Sequence, residues 1–256
     1  MKLTIDTNTA IVKLQNENGI EIEYPLSSAE AFQLISKAWL RSGWDTKHVY
    51  TFSWMGRPII QLPEDMFRFQ EIIWKLKPSV IVEVGIAHGG SLIFSASICE
   101  AIGAGHVVGV DIDIRPHNRE AIESHKLFER ITLIEGSSID PNVIEQVRSK
   151  ISEDDIVLVV LDGCHTCDHV LSELRQYSQL VTRGSYIIAA DGIMKDLVGA
   201  PRSSPNWATD NPVSAVEIFT SECTEFVSEQ PEWAFNESNG LSENITYWPR
   251  GYLKRI

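Results

Sequence analysis

Between Leu161 and His169 the chain reads LDGCHTCDH, its densest run of side chains able to do chemistry. Three readings of it compete. Asp162, with Asp191 from a later segment, supplies carboxylates that suit a divalent cation, and His165 is a base able to remove a proton from a substrate. Alternatively, Cys164-x-x-Cys167 is a redox or zinc pair, although one such pair without a second is weak evidence. In the third reading, Asp168 and His169 belong to the start of a helix, where Asp168 complements the positive end of the dipole. For those two residues the third reading is preferred.

A second group of residues points to a ligand. The run from Glu83 to Ser91, EVGIAHGGS, follows an apolar stretch and leads into a helical pattern. Glycine there lets the backbone turn tightly and approach a ligand, and the helix start offers free N–H groups. The run departs from the dinucleotide fingerprint at Ala87, and the carboxylate of Glu83 would repel a pyrophosphate. Asp111 stands 26 residues beyond Gly85, near the spacing at which a carboxylate reaches a ribose hydroxyl pair, with Asp113 as a nearby substitute. Either Asp could equally cap its own loop. Together with the polar Gly136-Ser137-Ser138, these residues describe a pocket for a positively charged nucleoside such as S-adenosylmethionine. The candidate cofactor residues are Glu83, Gly85, Ala87, His88, Ser91, Asp111, Asp113, Ser137, Ser138 and Asp162. His88 could equally be solvent-facing. In this setting a cation at Asp162 and Asp191 would clamp neighbouring oxygens of a polyol and lower a hydroxyl's pKa, easing its attack on a sulfonium methyl.

These residues fall at the ends of strands. Apolar runs at 80–84, 106–111, 131–135, 156–162 and 185–191 alternate with helical patterns near 92–102, 119–128, 142–151 and 169–180. Such alternation implies β-α-β units in a parallel, doubly wound Rossmann-like α/β sheet, whose ligands sit beyond the carboxyl ends of the strands. Ahead of it, residues 3–24 alternate in two runs around Asn16-Glu-Asn-Gly19 and predict a hairpin. Ser27 or Ser28 caps a helix to about Arg41 with Ala31, Leu34, Ile35 and Ala38 on one face. The aromatic stretch 39–63 reads as a packed loop, and Pro63 opens a helix over 64–76. The expected division is an N-terminal extension, 1–63, acting as a lid or dimerisation segment, and a cofactor-binding domain, 64–256. The Trp207–Pro212 and Asn236–Trp248 segments suit a wall against a sugar-like substrate, or plain loop packing.

The bulk properties narrow the classes. With 256 residues and 43% apolar residues the chain supports one large core. A net charge of −13 and a pI near 5.0 argue against a general grip on nucleic acid. No apolar run approaches bilayer length, and the first residues lack a signal-peptide core, so neither a membrane nor an export route is expected. Four cysteines make no disulfide framework, which fits a reducing, cytoplasmic setting. A homo-oligomer is expected from the N-terminal extension.

Five runs carry a resemblance: GRPIIQLPED at 56–65, VEVGIAHGGSL at 82–92, GVDIDIRPHN at 109–118, ITLIEGSS at 131–138 and LDGCHT at 161–166. They resemble the cephalosporin hydroxylase family over roughly residues 27–256. The resemblance implies a class I methyltransferase fold, S-adenosylmethionine as cofactor, and kinship with rhamnosyl and macrolide-sugar O-methyltransferases. It further implies a Mg2+ site from Asp162 and an acidic pair at the next strand end, with His165 as general base. Here that pair reads Ala190-Asp191. Losing a carboxylate weakens a divalent site, because affinity tracks ligand charge and count. The function expected is O-methylation of a sugar hydroxyl or related small polar acceptor. A non-catalytic binder of the cofactor and an N- or C-methyltransferase are the alternatives. An oxygenase is less attractive, since His165 and Asp162 supply only part of a facial iron triad.

Overall fold

The computed structural model describes residues 2–238 and 240–256. Three short strands open the chain, β1 (Lys2–Asp6), β2 (Ile11–Gln15) and β3 (Glu21–Pro25), and pair antiparallel in sequence order. The expected hairpin is thus a three-stranded meander. Its second turn lies where expected, with Asn16 Oδ1 accepting from the N–H groups of Asn18 and Ile20. Its first turn went unread because Asp6 supplies it: Asp6 Oδ1 accepts from Asn8 and Thr9 N–H, an Asx turn inside an apparently continuous alternation.

Helix α1 (Ala29–Asp45) is capped by Ser28, whose Oγ accepts from Ala31 N–H at 3.1 Å. It runs past Arg41, and Leu40 and Gly43 are buried while Ala38 is exposed. The aromatic stretch beyond it is ordered by a two-stranded pair, β4 (Ser53–Trp54) with β5 (Arg57–Pro58). There Trp54 packs edge-on against Phe94. Helix α2 (Pro63–Leu76) starts with its proline in the first turn, where the missing N–H costs nothing.

The main body alternates as read: β6 (Val80–Val84), α3 (Gly90–Ile102), β7 (His106–Asp111), α4 (Pro116–Glu123), β8 (Ile131–Glu135), α5 (Pro141–Arg148), β9 (Val157–Leu161), α6 (Cys167–Tyr177) and β10 (Tyr186–Ala189). It is extended by α7 (Pro212–Glu222), β11 (Phe226–Ser228) and β12 (Tyr252–Arg255), which the sequence reading did not assign. The seven strands lie in the order β11-β12-β10-β9-β6-β7-β8, with β12 antiparallel to both neighbours and the β10 to β8 block parallel. An all-parallel sheet was therefore incomplete; β11 and β12 are too short to show periodicity.

Two apolar layers cover the sheet. Phe69, Ile73 and Ile93 from α2 and α3 pack on one face, together with Leu40, Val49, Ile59 and Leu62. Val147, Leu171, Leu174 and Phe219 from α5, α6 and α7 pack on the other. Strands β6 and β9 are buried on both faces, hence their near-continuous valine and leucine content. Among the described residues, no helix is long and apolar enough to cross a membrane.

Candidate active site

The centre of the site is the junction of β6 with β9. Gly85 N–H donates to Val110 O and Asp162 N–H to Val84 O, each at 2.8 Å, so both strand ends turn outward side by side. A Cβ on Gly85 would stand 2.5 Å from Asp162 C and 2.9 Å from Gly163 N, and φ there is +93°. Only glycine allows this approach. Ala87, at φ +46°, takes the left-handed conformation with a side chain present. Asp111 braces this turn: its Oδ2 accepts from Ile86 N–H at 2.8 Å and Ala87 N–H at 3.3 Å.

A cavity of about 290 Å³ opens over the turn. Gly85, Ala87, His88 and Ser91 line it from the β6–α3 side, and Asp111, Ser137, Ser138 and Asp162 from the neighbouring strand ends. Eight of the ten expected cofactor residues therefore meet at one surface. Glu83 lies beneath it, 2% exposed, accepting a hydrogen bond from the Ser91 hydroxyl. Asp113 is exposed and outside the lining, its N–H donating to Asp111 Oδ1 at 3.2 Å.

Asp162, His165 and Asp191 come together beside the cavity, with one ligand atom of each lying within 4.8 Å of the others. His165 Nε2 stands 3.6 Å from Asp191 Oδ2, both side chains one-quarter exposed. Asp191 takes a left-handed backbone (φ +56°), a conformation that costs a non-glycine residue energy. Asp65 adds a further carboxylate, 1% exposed, which accepts from the Thr246 hydroxyl and, at 2.8 Å, from Tyr247 N–H.

These acids stand close together with His165 as the one basic group within ion-pair reach among the described residues. Burial raises the Glu83 carboxyl to about 8 against the opposing Ser91 hydrogen bond. Asp65 is likewise raised to about 8 by burial. Asp162 is held well above the usual carboxylate range, first by burial and then by the charges of Asp191 and Glu83. Burial raises Asp191 too, against the pull of His165. A site of this kind favours a cationic occupant, which would return these groups to their charged forms.

Several contributors escaped the sequence reading. Pro58, Ile59, Ile60 and Gln61 wall the cavity from the segment joining β5 to α2, and Gln61 Nε2 donates to Asp162 Oδ2 at 2.6 Å. Arg57 donates to His88 O, at 2.6 Å from Nη2, and to Asn118 Oδ1 at 3.0 Å, while Asn118 Nδ2 holds Ala87 O at 2.9 Å. His169 opens α6 and also lines the cavity; its Nε2 lies 3.1 Å from both Ser138 Oγ and the buried Glu173 Oε1. Gln61 and Asn118 lie within the runs that carried the family resemblance, but a loop amide gives no sequence signal of its partner. Cys164 and Cys167 are free thiols, the former lining the cavity.

A parallel sheet with one reversed strand near its edge, and an acidic nucleoside-sized cavity on the first glycine turn, define a Rossmann-like methyltransferase fold. A family profile described as Rhamnosyl O-methyltransferase/CmcI matches residues 46–256, and the chain belongs to that family of methyltransferases. The rhamnosyl O-methyltransferase of Mycobacterium leprae (strain TN) is 30% identical over 174 residues, covering 67% of this chain and 72% of that protein. Its namesake in Mycobacterium tuberculosis (strain ATCC 25618 / H37Rv) is 28% identical over 172 residues, or 66% of each chain. In fold the chain is similar to the CmcI-N160 apo structure, with TM-score 0.56, 20% identity, and coverage of 81% of this chain and 77% of that one. It is also similar to the structure described as cmcI-D160 Mg-SAM, with TM-score 0.54 and 19% identity over the same shares.

The magnesium implied by the resemblance fits this donor set poorly. Mg2+ demands oxygen ligands in near-octahedral array. Here the third donor is an imidazole nitrogen, and Ala190, where the usual glutamate would stand, is 1% exposed in the apolar layer that holds Tyr186 and Ile188.

Proposed function

We propose that this protein transfers the methyl group of S-adenosylmethionine to a hydroxyl of a sugar or sugar-like metabolite. The observation that supports this reading is the cavity itself, where a glycine turn, the strand-end carboxylate of Asp111 and Asp162 converge beside a histidine–carboxylate cluster. In this reading Asp111 accepts from the ribose hydroxyls while bracing the turn, Ser137 and Ser138 face the base, and the N-terminus of α3 lies near the methionyl group. The carboxylates of Asp162 and Glu83 complement the sulfonium.

The acceptor oxygen attacks the methyl carbon in line, the carbon–sulfur bond breaks, and the products are a methyl ether and neutral S-adenosylhomocysteine. The acceptor's proton passes to His165, which stands 3.6 Å from the Asp191 carboxylate. Asp162 and Asp191 orient the hydroxyl, and the site holds the partners in reacting geometry. The rhamnosyl O-methyltransferases among the relatives make a rhamnoside the first acceptor to try. We place the activity in cytoplasmic assembly of a saccharide or natural product, carried out by a homo-oligomer.

The test is calorimetric titration with S-adenosylmethionine, followed by turnover assays reading S-adenosylhomocysteine with a rhamnoside panel. His165→Ala is expected to abolish transfer while leaving cofactor affinity within about twofold. A variant that kept full turnover would remove the cluster from the mechanism. Cofactor retention without turnover on any hydroxylated acceptor would favour a non-catalytic binder.

A further inference from the structure

One hydrogen-bonded pair on the cavity wall takes no part in the transfer of the methyl group. Glu173, one helical turn below His169 on α6, is 0% exposed. Its Oε1 accepts from the Ser138 hydroxyl at 2.5 Å and lies 3.1 Å from His169 Nε2, while its Oε2 has no donor among the described residues. A carboxylate removed from water and half satisfied needs a compensating charge, and His169 is the one basic group within ion-pair reach of it among the described residues. The hydrogen bond to Glu173 accordingly raises the His169 imidazole above the ordinary histidine value, against the opposing effect of burial.

Ser138, His169 and Glu173 are the residue types of a nucleophile, base and acid, but their geometry is different. In such a triad the hydroxyl and the carboxylate engage opposite ring nitrogens. Here Ser138 Oγ and Glu173 Oε1 both stand 3.1 Å from Nε2. One nitrogen of the ring is thereby tied down. The other, Nδ1, has no protein partner among the described residues, and it belongs to a side chain 24% exposed that lines the cavity.

In the methyl-transfer reading Asp111 at the end of β7 takes the ribose, so the base lies toward the next strand end, where Ser137, Ser138 and His169 line the cavity. Ile112 lines the same cavity and is 74% exposed, a large apolar side chain left uncovered beside Asp111. An apolar surface for the face of a ring and a charged donor for its edge are what a planar, nitrogen-bearing heterocycle requires.

We infer that His169, locked in place by Glu173, reads the nucleobase of the cofactor: its Nδ1–H donates to a ring nitrogen of adenine while Ile112 covers the ring's face. The inference deepens the methyl-transfer reading and rests on it for the identity of the ligand. His169 is the specificity residue, and Glu173, sealed from the cavity, is a positioning residue acting through it. His165 keeps its role as base.

The test titrates the full chain calorimetrically with S-adenosylhomocysteine, whose neutral sulfur makes it less sensitive than the sulfonium to the changing charge of Glu83, Asp162 and Asp191 as pH varies. One of its 1-, 3- and 7-deaza analogues, each lacking one ring nitrogen, is expected to bind the parent protein about tenfold or more weakly. The double variant His169→Phe, Glu173→Leu replaces the buried pair by apolar groups of similar size, which keeps the fold; that analogue and S-adenosylhomocysteine should bind it alike, and both weakly. As pH rises through the raised His169 value the parent's affinity should fall about tenfold, because the imidazolium donor is present below that value and lost above it. The double variant should show no such fall, and Glu173→Gln, which removes the charge that holds the proton, should move it to lower pH. Equal deaza losses in the parent and the double variant, full affinity in the double variant, or a pH profile unchanged by Glu173→Gln would each overturn the inference. Binding that ignores His169 defeats this inference alone, whereas a folded parent that binds no S-adenosylhomocysteine defeats the methyl-transfer reading and this inference with it.

Discussion

Gly85→Ala separates two costs that usually arrive together. At Gly85 the new Cβ meets the backbone of Asp162 and Gly163 at 2.5–2.9 Å, and φ is +93°. At Gly103, which ends α3, φ is +83° but nothing lies within 4 Å. Both substitutions pay about 1–2 kcal/mol for forcing an L-residue into the left-handed region. Only Gly85→Ala adds the overpacking term, about 1–3 kcal/mol, because its neighbours are backbone atoms of two paired strands that cannot rotate away. The expected destabilisation is about 2–5 kcal/mol for Gly85→Ala against about 1–2 kcal/mol for Gly103→Ala, read by urea unfolding with unchanged m-values. In a domain of this size each kcal/mol moves Tm by roughly 2–4 °C, so Gly85→Ala should melt about 10 °C below the parent. Relieving the contact moves Asp162 away from the turn by a few tenths of an ångström or more. Cofactor affinity should therefore fall about tenfold in Gly85→Ala and stay level in Gly103→Ala. Equal losses in the two variants, or a Gly85→Ala protein that binds the cofactor normally, would refute the account of the β6–β9 junction.

Other outcomes follow from the same geometry. Glu83 keeps its proton in the unliganded fold up to about pH 8, while an unfolded glutamate loses it near 4.5. Its contribution to stability is therefore fully present below the unfolded value and drains away as pH rises through that window. Glu83→Gln should gain on the parent between pH 5 and 8, by up to about 4 kcal/mol at the upper end, as judged by unfolding midpoints along a pH series; a constant difference would mean Glu83 does not titrate there. Arg57→Ala frees His88 O and Asn118 Oδ1 together, so the turn loses its brace from the β4–β5 pair. Cofactor affinity should drop about tenfold with little change in Tm, and calorimetry showing the parent's affinity would reject the brace. Asp65→Ala leaves Tyr247 N–H and the Thr246 hydroxyl without their acceptor, which should cost about 2–4 kcal/mol in urea unfolding; a loss below about 0.5 kcal/mol would show that the contact is not held in solution.

The strand-and-helix alternation from Val80 to Asp191, and the clustering of Gly85, Ser91, Asp111, Ser138 and Asp162 at one cavity, were legible because local signals carry them. Buried parallel strands must be apolar, and glycine at a strand end declares a turn. Asp6, by contrast, broke an alternating run by a side-chain hydrogen bond that hydrophobic period does not register. His169 was legible as a residue of a helix start, which it is; that it also faces the cavity beside Ser138 and Glu173 depends on how α6 packs against the loop after β8.

What the sequence determined by itself is the fold class, the family resemblance and the kind of residue at each strand end. Tertiary structure decided the partnerships. Gln61 reaches Asp162 across 101 positions of chain, and Asp65 reaches Tyr247 across 182. It also decided that the reversed β12 completes the sheet and that His165 stands 3.6 Å from Asp191. The physical reason is that periodicity and turn chemistry act over a few residues, whereas a polar side chain in a loop acquires its role only when packing brings a distant partner within hydrogen-bonding or coordinating distance.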